Sequence, residues 1–323
     1  MRTTSSLSIA TVTLVFTVAC GVGPEPVAVR LVDLFQSDLV TGSPPVETSP
    51  RIEWRFDGAL LDGNEFAETG GVEAGPGVSG MAIRDGRLVG RTTSDFPLLR
   101  VERTGDLGGQ DQVHAVEVRM RASEGTNLMV EFSAAETVEF PALRGAMLGS
   151  PFVMNTPIVA GDDLQTYTLT PLQSVTAAAA RHLLVRPTDV EGAEFEIESL
   201  RVVFRKEHLA SIPSGVGWQG LDEVYHEALV SRSPETLSFD VGLGARPWLD
   251  LTLGTIDSLP VTFQVEVSQS DGTDATRILA QTLTTPERWE RRRLDLDGFA
   301  GQSVRVSLSL ASDDDGAIGL WGS

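Results

Sequence analysis

Four apolar residues spaced two apart, Val261, Phe263, Val265 and Val267, alternate with Thr262, Gln264 and Glu266. In an extended strand successive side chains point to opposite faces, so this spacing buries one face and leaves the other wet. A helix would scatter the same residues around its circumference. Val304, Val306, Leu308 and Leu310 repeat the pattern opposite Ser303, Arg305, Ser307 and Ser309. Leu237, Phe239, Val241 and Leu249, Leu251, Leu253 give shorter copies, followed by Ile278, Ala280, Thr282 and by Leu294, Leu296. Turn residues such as Asp271-Gly272 separate them, so residues 235–323 predict an antiparallel β-sandwich.

The same alternation runs through residues 51–205, in Val116, Val118, Met120, in Leu128, Val130, Phe132, and in Leu183, Val185. Phe195 and Ile197 alternate with glutamates, after which the apolar phase slips by one to Leu200, Val202 and Phe204, predicting a bulge or bend at Ser199. A second all-β sandwich follows from this. Its opening, Trp54-Arg55-Phe56 with Asp85-Gly86-Arg87-Leu88 further on, resembles jelly-roll domains of the carbohydrate-binding kind. Trp54 and Phe56 also alternate as core residues do, and both readings stay open here.

Between the modules, residues 206–234 show no period-two pattern. Ile212-Pro213-Ser214-Gly215-Val216-Gly217 reads as turn chemistry. Leu221, Val224, Tyr225, Ala228 and Leu229 have the spacing of one helical face, predicting a short helix. The expectation is two sandwiches joined by a partly helical connector.

A chain of 323 residues accommodates two domains of ordinary size. Its net charge of -20 repels phosphate backbones, which argues against nucleic acid as a partner. Residues 1–19 read as an export signal: Arg2 is the positive end, Leu7 to Val18 the apolar stretch, and Thr17-Val18-Ala19-Cys20 the cleavage site. The last of these resembles the end of the bacterial lipoprotein signal, with Thr17 where leucine is usual. That resemblance implies an acylated Cys20, a membrane partner through the lipid, and a place in the cell envelope; ordinary secretion is the alternative. Cys20 is the one cysteine, so no internal disulfide forms. Residues 20–50, rich in Gly, Pro, Ser and Thr, read as a flexible tether.

Two clusters of side chains invite a ligand. Arg288, Arg291, Arg292 and Arg293 form the one dense basic stretch, suited to a sulfated glycan because guanidinium forks grip such anions. As outward strand residues they would instead be balanced by Glu287, Glu290, Asp295 and Asp297. Asp313, Asp314 and Asp315 offer oxygen ligands for a structural calcium ion, but without alternate-residue spacing they also read as a solvated acidic turn. No other cofactor is expected, and the four histidines lack zinc-site spacing.

SPETLSFDV, VTFQVEV and ERWERRRLDLDGFAGQSVRVSLSL, in that order, resemble the galactose-binding-like jelly rolls that precede the catalytic domain in certain bacterial sulfatases. GWQGLDEVYHEALVSRSPE is similar to the segment joining the two modules there. The resemblance implies a non-catalytic accessory region that positions the enzyme or binds a polysaccharide. The catalytic domain would then follow Ser323, after the apolar stretch Ile318 to Gly322. A free-standing glycan-binding lipoprotein and a structural spacer are the alternatives. The sulfatase nucleophile motif itself, Cys or Ser followed by x-Pro-x-Arg, is absent from these 323 residues.

Overall fold

A computed structural model describes residues 28–42, 52–56, 71–102, 111–133, 140, 152–177, 182–270, 273–314 and 316–323. Strand β1 (Val40–Thr41) comes first and belongs to the second sandwich. The first sandwich contains β2 (Ile52–Arg55), β3 (Val72–Ala74), β4 (Val78–Arg84), β5 (Arg87–Thr92), β6 (Leu99–Glu102) and β7 (Val113–Ala122). It continues with β8 (Asn127–Ser133), β9 (Val153–Pro157), β10 (Gln165–Leu169), β11 (His182–Arg186) and β12 (Glu194–Phe204). One sheet runs β10-β7-β12-β5-β4, with β2 also on β12, and the other β3-β6-β11-β8-β9. Val116, Val118 and Met120 of the first sheet meet Leu128, Val130, Leu183 and Val185 of the second in one core. β12 slips register between Ile197 and Ser199, the bulge that the change of apolar phase predicts. Phe56 is buried in that core and Trp54 packs against it, so both act as core residues.

Helix α1 (Arg205–Ser211) leaves β12 directly. The Glu207 carboxylate accepts the Phe204 amide at 2.8 Å and closes its first turn. Leu209 then packs with Leu221, Val230, Ile318 and Leu320 of the second sandwich. Two cations on α1 fix the junction. Arg205 donates to the Gly220 carbonyl and the Gln219 side chain, each at 2.8 Å. Lys206 reaches Asp314 at 2.7 Å and also the buried Asp257. On the other side of α1, His208 stacks on His114 of β7 with ring centroids 3.6 Å apart. Burial first, then the His208 and Arg205 charges, push the His114 pKa down to about 4.

The second sandwich comprises β13 (Gly215–Leu221), β14 (Val224–Arg232), β15 (Thr236–Gly242), β16 (Trp248–Thr255), β17 (Val261–Gln269), β18 (Thr276–Leu283), β19 (Glu290–Asp295), β20 (Ser303–Ala311) and β21 (Ile318–Gly322). Its sheets run β1-β15-β20-β17-β18 and β13-β14-β21-β16-β19.

Two expectations need correction. The helix expected over Leu221 to Leu229 is a β-hairpin, and the one helix among the described residues here lies earlier, at Arg205–Ser211. Asp222 and Glu223 turn the hairpin with φ of 46° and 65°, so one strand ends at Leu221 and the next begins at Val224. The helix-like spacing arises from that two-residue turn. Residues 28–42, expected to be part of a flexible tether, are packed instead: Val32 is buried in the second core, Leu31, Phe35 and Leu39 lie against it, and β1 pairs with β15. The apolar side chains of this island gain more from burial than the chain loses in freedom. The terminal apolar stretch forms an interior strand, with β21 paired on both sides, to β14 and β16. Trp321 fills the core edge-on to Phe263 at 4.8 Å and donates its indole N–H to Ser231 at 2.9 Å.

The second sandwich is therefore discontinuous in sequence. Residues 28–42 and 215–323 build it, and the first sandwich is inserted between them.

Candidate functional site

The hairpin β13–β14 carries the exposed aromatic residues of interest. Val216 pairs with Leu229, Trp218 with Glu227 and Gly220 with Tyr225, so these six residues share one face. At Leu229 that face is core. Towards the hairpin turn it opens to solvent, where Trp218 is 70% and Tyr225 66% exposed. Gly220 holds the pair together: a β-carbon there would fall 2.6 Å from the Tyr225 ring, so the ring lies across bare backbone beside Trp218.

The N-terminal segment supplies the polar rim. Arg30 pairs with Glu227 and donates to the Ser323 hydroxyl at 3.3 Å. Its pKa is raised chiefly by the hydrogen bond to Glu227. His226 Nδ1 lies 3.2 Å from the Ser323 carbonyl, and its ring meets Trp289 edge-on at 4.9 Å. Arg30, Trp218, Tyr225, His226, Glu227 and Ser323 line an open depression of about 400 Å³. Glu227 is the one acidic side chain among these lining residues. Two flat apolar faces edged by a guanidinium, a carboxylate and a hydroxyl suit a ligand with apolar C–H faces and a hydroxyl rim.

The strand alternation divides the arginines read from the sequence. Arg288 is exposed ahead of β19. Arg291 takes both oxygens of Asp250, at 3.0 and 2.5 Å. Arg292 turns to the other face and meets Glu290 at 2.7 Å and the Gln281 side chain. Arg293 lies over the Trp248 ring, 4.4 Å from its centroid. Asp314 is committed to Lys206, and Asp315 lies outside the described residues, as does Cys20. No group of three metal-ligating side chains occurs among the described residues. The sequence reading missed Trp218 and Tyr225 as site residues, although an aromatic residue on each side of the Asp222-Glu223 turn was a visible signal.

No family model matches the sequence, and no curated protein does. Solved structures with a likeness to part of it include carbohydrate-binding modules. A family 29 module shares 12% identity over 41% of this chain and 78% of its own, with a TM-score of 0.29. A mutant module of that family complexed with cellulohexaose gives 12%, 41%, 80% and 0.29. A low-affinity xylan-binding module, CBM86 from Roseburia intestinalis, gives 10% identity over 48% of this chain and 96% of its own, with a TM-score of 0.30. No residue is carried over from them.

Proposed function

We propose that the chain is a non-catalytic glycan-binding protein whose second sandwich stacks a pyranose ring on Trp218 and Tyr225. One observation carries this: two large aromatic side chains stand side by side and solvent-exposed on a strand face, with polar groups around them. Burying such residues is favourable, so a platform left open in the free protein stays available for a partner surface. Arg30 and Glu227 then hydrogen-bond the ring hydroxyls. Calorimetric titration of the full chain with neutral manno-, cello- and xylo-oligosaccharides tests it. Trp218→Ala and Tyr225→Ala should each weaken the best ligand about tenfold. Absence of binding to all three, or binding that neither substitution alters, overturns the reading.

We extend the role to the bacterial envelope, with the chain held by a lipid on Cys20 and serving a sulfatase catalytic domain beyond Ser323. The lipoprotein-like VAC sequence and the sulfatase-like order of motifs in residues 217–310 support this extension. Cys20→Ser should move the protein from the membrane to the soluble fraction, and retention on the membrane refutes the anchor. The coding sequence after Ser323 decides the sulfatase context.

A further inference from the structure

A second exposed tryptophan lies on the opposite face of the same sheet. Leu251 and Leu253 of β16 point into the core, so Trp248, Asp250 and Thr252 face away from it, beside Asp295, Arg293 and Arg291 of β19. Trp248 is 48% exposed and is overlain by the Arg293 guanidinium.

Among the described residues Arg293 makes no close ion pair: the Asp250 carboxyl's pKa is lowered chiefly by its hydrogen bond with Arg291, and the Arg293 charge acts on it only as the last of the causes. Arg305 binds Asp240 through both oxygens, Arg277 binds Glu266, and Arg292 binds Glu290. Asp250, the cross-strand partner of Arg293, is taken through both oxygens by Arg291. A guanidinium over an aromatic ring keeps its in-plane N–H groups for a two-pronged oxyanion. The protein's net negative charge does not oppose a local contact, because charges beyond about 8 Å are screened at physiological salt.

We infer that Trp248 and Arg293 form an anion-accepting subsite for a sugar bearing a carboxylate or a sulfate ester, with the sugar against Trp248 and its oxyanion on Arg293. That the anion is carried by a glycan rests on the function proposed above; the anion site stands on its own geometry.

The test is titration of the full chain with three probes: mannohexaose, a trigalacturonate and a sulfated galactan tetrasaccharide. Arg293→Gln and Trp248→Ala change exposed side chains, and thermal melts confirm that each variant folds. Arg293→Gln should weaken at least one anionic probe about tenfold, the loss of one charge-assisted pair, and leave mannohexaose within about twofold. Whether the uronate or the sulfated probe responds identifies the oxyanion. Trp218→Ala should do the reverse. Anionic binding that depends on Arg293 while mannohexaose fails to bind would sink the Trp218 platform and leave this subsite standing. Absence of anionic binding, or anionic binding that Arg293→Gln leaves within twofold, overturns the subsite.

Discussion

Glu235→Ala is the substitution whose cost follows most directly from this architecture. Glu235 is 1% exposed and Arg232 4%. One carboxylate oxygen accepts from the Arg232 guanidinium at 2.5 Å; the other accepts from the Arg232 amide at 2.9 Å and from the Ser214 hydroxyl. The guanidinium also donates to the Leu209 and Ile212 carbonyls, tying the end of α1 to β14. Its Nε has no acceptor, so the network has no slack with which to absorb a loss. Removing the carboxylate leaves a buried cation unmatched, which costs about 3–5 kcal/mol. Set against about 5–15 kcal/mol for a whole domain, this consumes a large share of the second sandwich's stability. Urea unfolding followed by tryptophan fluorescence reads it, because Trp218, Trp248, Trp289 and Trp321 lie in that sandwich and Trp54 in the other. The double replacement Arg232→Met with Glu235→Leu should recover most of the loss, since desolvating both charges offsets much of their attraction. A single-variant loss below about 1 kcal/mol, or a double variant no better than Glu235→Ala, refutes the reasoning.

Gly220→Ala should displace the Tyr225 ring, weakening neutral glycans about tenfold while stability shifts by under about 1 kcal/mol; unchanged affinity would separate Tyr225 from the site. An ordinary histidine titrates near 6.5, but folded His114 takes up its proton only at about 4. The unfolded chain therefore binds more protons in between, and stability should fall as pH drops from 6.5 to about 4; thermal midpoints should lose that slope in His114→Phe. Glu196, held at about 2 chiefly by its hydrogen bond to Arg121, adds a further loss between 4.5 and 2. A chain begun at residue 43 lacks Val32, whose burial alone is worth about 1.5–3 kcal/mol, and its urea midpoint should drop accordingly; an unchanged midpoint would return residues 28–42 to the role of a tether.

Period-two alternation revealed the strands wherever one face is buried along the whole element, as in Val261 to Val267 and Val304 to Leu310. It failed at β13 and β14, where the face that is core at Leu229 becomes open surface at Trp218 and glycines remove the alternation. The turn at Asp222-Glu223 lacks the glycine or asparagine that usually marks a two-residue hairpin, so its strands merged into an apparent helical stripe. The packed segment 28–42 was hidden because β1 is two residues long and its partners lie far away in sequence. The arginine stretch was visible as composition, yet only the strand register shows that Arg291 and Arg293 share a face, that Arg292 does not, and that Arg293 lies over Trp248.

The insertion of one sandwich into the other imposes an order on folding. Arg30 meets Glu227 across 197 residues, and the closing segment leaves the ribosome long before any strand it pairs with exists. Closing so large a loop from a random chain carries an entropic cost and slows folding. The first sandwich lies wholly inside that loop and its strands pair among themselves, so it can fold as a unit during synthesis. Once it has folded, β2 to β12 are paired strands rather than free chain, so the loop that must still close around them is effectively shorter. Damage to the first sandwich should then slow assembly of the second even when every residue of the second is intact, a dependence that would appear as a refolding rate rather than as a lost contact.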